Sequence, residues 1–347
     1  YWLDLVRFAD TNGIHHDHYR EMTPYRDWVI RSFNQNLPFD QFTKYQLAGD
    51  LYPEPTHDQL IASGFNRLHL IIDRGTALPE ESFMRNVVDR VTAVGTAWMG
   101  LTVQCCVCHD NKYDPMTMKD FYQLYAFFNN LDGNPETGGR NGTDFQRGLQ
   151  PPYVSLANET QLTELAGFDK RIEQLRQRVG QIEQQVKKSE EGPQLTALQS
   201  ELAKAKAALK TAQTRKQTLE ASIPVAMVMK ERAESRPAHI LIRGAYDKPG
   251  EKVERNSPAF LPPMEGKDGE RTRMDLANWM VARNNPLTSR AVVNRFWPQP
   301  FGVGIVKTPA DFGAHGDWPS HPQPPYYLAV SFIESGWNVK RLMKQMV

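Results

Sequence analysis

Apolar residues recur every three or four positions along most of this chain, and that period predicts helices. Tyr25, Trp28, Val29 and Phe33 share one face behind Thr23-Pro24. That pair predicts a helix start, with Thr23 as cap and Pro24 in the first helical position. Phe39, Phe42 and Leu47 make a second stripe, and Leu60 with Ile61 a third. A longer stripe through Met84, Val87, Val88, Val91, Val94, Trp98 and Leu101 predicts a helix that delivers the chain to its cysteines. Thr117 and Asp120 resemble a capping box before a helix with Phe121, Leu124, Tyr125 and Phe128 on its inner face. Residues 1–130 are expected to form a multi-helix domain. Residues 131–158, rich in Gly, Asn and Pro, are expected to be a loop.

Two heptad stripes follow. Leu165, Phe168, Ile172, Leu175, Val179, Ile182 and Val186 form the first; Leu195, Leu198, Leu202, Ala205, Leu209, Ala212, Lys216 and Leu219 form the second. Glu191-Gly192-Pro193 breaks the chain between them, so residues 159–222 are expected to be an antiparallel coiled-coil hairpin. Two uses are open for it, a structural spacer or an arm for protein docking, and charged helix faces are most often simply solvated. Beyond Pro224 the period falls to two at Val225, Met227 and Met229, and "HILIRGAYDKPGEKV" reads as a strand followed by an Asp-Lys-Pro-Gly turn. Residues 223–265 are therefore a small β segment. Residues 266–347 return to helical spacing, through Leu276, Trp279 and Met280 to Val339, Leu342, Met343 and Met346. Pro298-Gln299-Pro300 and Gln323-Pro324-Pro325 fall in this C-terminal helical domain. Proline inside a helix costs about 3 kcal/mol, which predicts broken helices there. The expected fold class is mainly α.

Composition narrows the function classes. The chain of 347 residues is long enough for two or three domains with a sizeable core. Its 41 Lys and Arg against 40 Asp and Glu give a net charge of +1, which supplies no electrostatic reason for a nucleic-acid or anionic-membrane partner. No apolar run approaches the length of a transmembrane segment; Ile223–Met229 is the clearest and is far too short. The chain opens on Tyr1-Trp2 within a helical pattern, so a natural start further upstream is expected.

All three cysteines, Cys105, Cys106 and Cys108, fall in the stretch "GLTVQCCVCHDNKYDP", and His109 follows directly. Such clustering excludes a disulfide framework, whose partners are spread along a chain. Cys105-Cys106-Val107-Cys108-His109 satisfies C-x-x-C-H, the attachment signature of one covalent haem c. Two thiols a turn apart can reach the vinyl groups of one porphyrin, and the adjacent histidine becomes the proximal iron ligand. Cys106 is then a spacer. Zinc is the first alternative, but one cluster supplies too few ligands without distant histidines. A C-x-x-C redox pair is the second, but no βαβ pattern surrounds it.

The blocks "YWLDLVRFADTNG", "PYRDWVIRSFNQNLPFDQFTKYQLAGDL", "NVVDRV", "CHDNKYDP" and "FYQLYAFFNN" resemble the first domain of a cytochrome-associated pair abundant in Planctomycetes. "RGAYDKPGE", "NPLTSRAVVNRFW", "KTPADFG" and "FIESGW" resemble its second domain. The resemblance covers nearly the whole chain apart from the hairpin, and both domains were long catalogued as of unknown function. It implies an exported, periplasmic or otherwise extracytoplasmic bacterial protein with covalent haem, associated with polysaccharide breakdown.

Other polar residues are candidates for chemistry. His15, His16 and His18, with Asp10, Asn12 and Asp17, crowd a Gly13 loop, readable as a source of a distal haem ligand, a metal site, an acid/base pair or a solvated loop. His69 is either a core histidine or the distal iron ligand. Met116 and Met118 are candidate axial sulfur ligands, although their closeness to His109 in sequence makes the opposite haem face difficult to reach. Arg243, Tyr246 and Asp247 precede a turn, where substrate groups or plain turn chemistry are equally expected. Three functions compete: a haem c oxidoreductase taking electrons from a substrate such as a carbohydrate, an electron carrier serving a redox partner protein, and a scaffold with structural haem. Chain size favours an iron pocket shared with a substrate site. No carboxylate pair, phosphate loop or nucleophile elbow stands out.

Overall fold

The computed structural model describes residues 1–13, 17–71, 78–133, 147–189, 191–267, 269–321 and 323–347. The fold is mainly α, with two small two-stranded sheets among the described residues. The chain divides into two compact units: residues 1–154 with 226–347, and residues 155–225.

In the larger unit the N-terminal helices are α1 (Trp2–Leu5), α2 (Thr23–Asn34), α3 (Phe39–Ala48), α4 (His57–Ser63), α5 (Pro79–Val94) and α6 (Met118–Phe128). Their apolar stripes meet in an aromatic core. Trp28 stacks on Phe42 with ring centroids 5.0 Å apart, and Trp2 lies edge-on to Phe42 and Trp98 at 5.1 and 5.4 Å. Buried aromatic rings with polar tips need hydrogen-bond partners. Trp98 Nε1 donates to Thr43 Oγ1 at 2.9 Å, and Gln46 Oε1 accepts from Trp2 Nε1 and Tyr25 OH at 3.1 and 2.6 Å. The C-terminal part joins the same core: Phe332 and Trp337 pack on Phe39, and Phe39 N–H donates to Trp337 O at 3.0 Å. A buried ion network ties the two parts together. The Arg273 guanidinium, fully buried, donates to both Asp50 carboxylate oxygens at 2.8 and 2.6 Å and to Glu231 at 2.9 Å.

Several local expectations shift. Helix α2 begins at Thr23, so Met22 holds the cap position and no side chain caps it, while Pro24 keeps its place in the first turn. The expected helix to Leu101 ends at Val94; a wider turn covers Gly95–Met99, and Gly100 is left-handed at φ 64°. A Cβ on Gly95 would lie 2.7 Å from Val103, so a glycine there lets the chain fold back before the cysteines. Within the expected loop, β1 (Tyr153–Ser155) pairs with β2 (Val225–Met227). β3 (Ala238–Leu241) pairs antiparallel with β4 (Pro249–Val253); the turn falls on Tyr246-Asp247, and Pro249 and Gly250 already belong to β4. The C-terminal helices are α9 (Arg273–Met280), α10 (Thr288–Phe296), a short α11 (Pro298–Phe301), α12 (Gln323–Glu334) and α13 (Val339–Met346), numbered to follow the hairpin helices α7 and α8 below. The first proline cluster ends α10 as expected. The second does not break α12, because its prolines occupy the first turn, where a backbone N–H has no helical partner to lose.

In the smaller unit, α7 (Glu159–Lys188) and α8 (Pro193–Ser222) form the hairpin. Ile172, Leu175 and Ala212 make one buried cluster, and Val179, Ile182 and Ala205 a second, flanked by Leu198, Leu202 and Leu209. These are the heptad positions. Asn158 caps α7 through a capping box with Gln161, and Pro193 starts α8.

Candidate functional site

The cysteine segment forms a 3-10 turn, Gln104–Val107, with Cys108 at its end. In a 3-10 helix residues i and i+3 eclipse, so Cys105 and Cys108 share one side of the turn. Both are exposed, whereas Cys106 is fully buried. The Cys106 thiol donates to Met116 O at 3.4 Å, and burial, ahead of neighbouring charges, pushes its pKa up to about 11. The three thiols are thereby sorted: two present themselves to solvent, and one anchors the turn to the core.

His109 follows on the surface, its Nδ1 2.7 Å from Asp110 O. A carbonyl only accepts, so Nδ1 carries the proton and, in the neutral ring, Nε2 keeps the lone pair. This is how a ligating imidazole is held in its tautomer and orientation. Asp110 is itself fixed, since Oδ1 accepts the Met118 N–H at 2.7 Å. The Asn111 side chain accepts from the Tyr113 and Asp114 N–H groups at 2.9 and 3.1 Å, an Asx turn that reverses the chain towards the Thr117–Asp120 capping box.

Two distant segments brace the turn. Tyr122 on α6 donates its hydroxyl to Val107 O at 2.9 Å, and burial raises the Tyr122 pKa well beyond the ordinary phenol range. The loop after β3 comes closer. Gly244 is left-handed at φ 71°, and a Cβ there would lie 2.9 Å from Cys108 Sγ and 3.0 Å from Val107 Cγ1. Glycine satisfies both demands at once.

A cavity of about 420 Å³ opens beside Cys108, with walls that include Leu70, Met84, Val88, Asp89 and Val107. That volume lies within the roughly 300–1,000 Å³ usual for small-molecule and cofactor sites. Cavities of about 440 and 580 Å³ elsewhere in this unit take neither a cysteine nor a histidine into their walls. Two exposed thiols one turn apart and an imidazole with its Nε2 lone pair are a donor set of the kind haem c takes, and the cavity wall beside Cys108 is of mixed polarity, with Ser82, Arg85 and Asn86 beside Leu70 and Val88. Among the described residues, no three His, Cys, Asp or Glu side chains converge as a metal site.

The remaining candidates separate. His69 is fully buried, and its carbonyl accepts from Arg20 Nη1 at 2.7 Å; the cavity wall takes its neighbour Leu70 instead. His15 and His16 lie outside the described residues. His18 sits in the loop closed by the Thr11–Tyr19 bridge, and its carbonyl accepts from the Asn12 N–H. That loop borders the cavity wall, because Ile71 N–H donates to Asn12 O and a Cβ on Gly13 would meet Leu70 at 2.5 Å. Met116 is buried behind the turn. Arg243 is exposed with φ 53°, and with Tyr246 and Asp247 it occupies the loop whose Gly244 presses on Cys108.

Sequence reading missed Met84, Tyr122, Asp114 and the glycines. The "CHDNKYDP" and "KTPADFG" blocks meet in space: Asp114 Oδ1 accepts the Ala314 N–H at 2.7 Å, and the Phe312 N–H donates to Gly100 O at 2.7 Å. The Tyr113 ring lies edge-on to His315 at 3.7 Å. A Cβ on Gly313 would lie 2.2 Å from an Asp114 carboxylate oxygen. The glycines in "DFGAHGD" were the visible signal of this close approach.

Residues 1–133 match the family described as protein of unknown function DUF1549, and residues 272–347 match that described as protein of unknown function DUF1553. The chain thus carries two family domains in this order, and the cysteine turn lies in the first. No curated protein and no solved structure matches it.

Proposed function

We propose that this chain is a c-type haem protein working outside the cytoplasmic membrane, as an electron-transfer or oxidoreductase component linked to carbohydrate metabolism. The sorting of the thiols carries the reading: Cys105 and Cys108 are exposed on one side of a 3-10 turn, Cys106 is buried, and His109 follows with Nδ1 tied to Asp110 O. Cys105 and Cys108 would form the two thioethers, and His109 would ligate iron through Nε2. Haem c supplies one-electron chemistry at iron when bound. The chain's own part is to hold the imidazole in one tautomer, keep the third thiol protonated in the core, and shield one side with Leu70, Val88 and Val107. Electrons would pass to or from a redox partner protein, with a carbohydrate as the ultimate substrate and the hairpin available for docking.

Attachment of haem c takes place on the outer side of the bacterial cytoplasmic membrane, so the full gene is expected to encode a secretory signal. The test is maturation in a host that attaches haem c, followed by denaturing electrophoresis and haem staining. Haem migrating with the polypeptide supports the reading. A correctly exported but unstained chain overturns it.

A further inference from the structure

We propose that the cavity of about 580 Å³ walled by α10, α12 and the loop 312–319 binds a neutral carbohydrate chain; this gives the carbohydrate named above a site, and it stands or falls apart from the haem. The rim of the cavity is aromatic. Trp318 is 92% exposed and Tyr326 62%, and both line the cavity. Five of the seven tryptophans are buried and build the core, whereas the Trp318 ring adds almost nothing to packing. A flat, exposed ring at a cavity mouth suits a sugar. The C–H groups on one face of a pyranose carry slight positive charge and meet the negative face of the ring.

Charge decides between a sugar and the other ligands that an aromatic rim could take. The wall carries one cation, Arg290, and one carboxylate, Asp317. Asp317 repels a nucleotide or other anion, and Arg290 repels a quaternary ammonium group. A hydroxyl both donates and accepts, so a sugar can donate to the Asp317 carboxylate and accept from the Arg290 guanidinium. The wall is also built in advance. The Arg290 guanidinium lies over the Tyr326 ring, 5.4 Å from its centroid. The Asn294 side chain holds Val306 by both backbone groups, accepting its N–H at 2.7 Å and donating to its carbonyl at 2.9 Å. Thr308 Oγ1 accepts the Asp317 N–H at 2.9 Å, which pins the residue before Trp318. Through Ala314 and Asp114, the loop that would carry the sugar is fastened to the segment that follows His109.

The test is titration calorimetry of the matured wild-type, Trp318→Ala and Trp318→Phe proteins. The probes are cellohexaose, xylohexaose, mannohexaose and maltohexaose, with choline and trigalacturonate as charged comparisons. Trp318 is exposed, so Trp318→Ala should keep the wild-type Tm. At least one neutral hexasaccharide should bind the wild type, bind Trp318→Ala about tenfold more weakly, and regain affinity in Trp318→Phe, which restores a flat ring. No binding of any neutral hexasaccharide, equal binding by Trp318→Ala, or stronger binding of choline or trigalacturonate overturns the proposal. Haem staining of the same samples judges the haem reading separately. Stained protein that binds no sugar loses this site alone, and unstained protein that binds a sugar through Trp318 keeps it.

Discussion

The hairpin and the cysteine turn are built on opposite principles. Residues 155–225 form a unit whose contacts run between two neighbouring helices, and its charged exterior adds pairs such as Arg178–Glu201 at 2.9 Å. The cysteine turn is held by segments far apart in sequence: Tyr122 on Val107, Gly244 against Cys108, and α5 and Leu70 beside the cavity. A periodic two-helix unit tolerates change, because each position repeats the environment of the one seven residues on. A turn assembled from distant pieces does not. Substitutions should therefore be expensive in the larger unit and mild in the hairpin.

The largest effect is expected at Arg273. Arg273→Ala leaves Asp50 without its buried cation and Glu231 with Arg255 alone, at 3.7 Å, and breaking such a buried pair costs about 3–5 kcal/mol. Chemical denaturation should show the loss as a lower midpoint at unchanged slope. Arg178→Ala in the hairpin, an exposed pair, should stay within about 1 kcal/mol. Equal costs would erase the contrast.

Alkaline pH should come next. The Cys106 pKa is raised from 9.0 to about 11, so the native state holds a proton that the unfolded chain releases. Stability from this group is fully present below about pH 9 and is lost as pH rises towards about 11. The loss should be on the order of 1–3 kcal/mol, at about 1.4 kcal/mol per pKa unit. Burial also raises the phenols of Tyr25, Tyr122 and Tyr125, so the difference in slope between unmatured wild type and Cys106→Ala across this window measures the thiol's share. In the same protein, thiol alkylation should mark Cys105 and Cys108 and spare Cys106 until the chain unfolds.

Much of this architecture could be read from the sequence, and the reason lies in locality. The hairpin's buried residues are its heptad residues, because a coiled-coil seam is fixed by a period within each helix. The Thr117–Asp120 box formed for the same local reason. The C-x-x-C-H spacing located the turn, and a 3-10 helix rather than an α-helix presents its cysteines. What surrounds the turn was not legible. Met84 sits in an apolar stripe where every residue looks like core, and nothing local marks it as facing a cavity. Gly244 lies in a turn-rich stretch where a glycine needs no special explanation. His69 stood out because histidine is rare and titratable, yet chemical type says nothing of burial.

Glycines give the finer comparison. Gly244→Ala should cost about 1–2 kcal/mol from the left-handed backbone alone. Its Cβ would also press on Cys108, so haem per polypeptide should fall after maturation. Smallest of all, Gly167→Ala and Gly180→Ala should each stabilise the hairpin by about 0.5–1 kcal/mol, since a Cβ at either position meets nothing within 4 Å. Thermal unfolding of the isolated variants reads both signs. A hairpin weakened by these alanines would mean that the two helices pack more tightly there than the structure places them.

The most direct measurement is haem staining, after denaturing electrophoresis, of matured wild-type protein, the Cys106→Ser variant and the Cys105→Ser/Cys108→Ser double variant. The thiols' separation into two exposed and one buried predicts stain in the wild type, stain retained in Cys106→Ser, and none in the double variant. An unstained wild type, or a double variant that still carries covalent haem, would contradict the assignment of this turn as a haem attachment site.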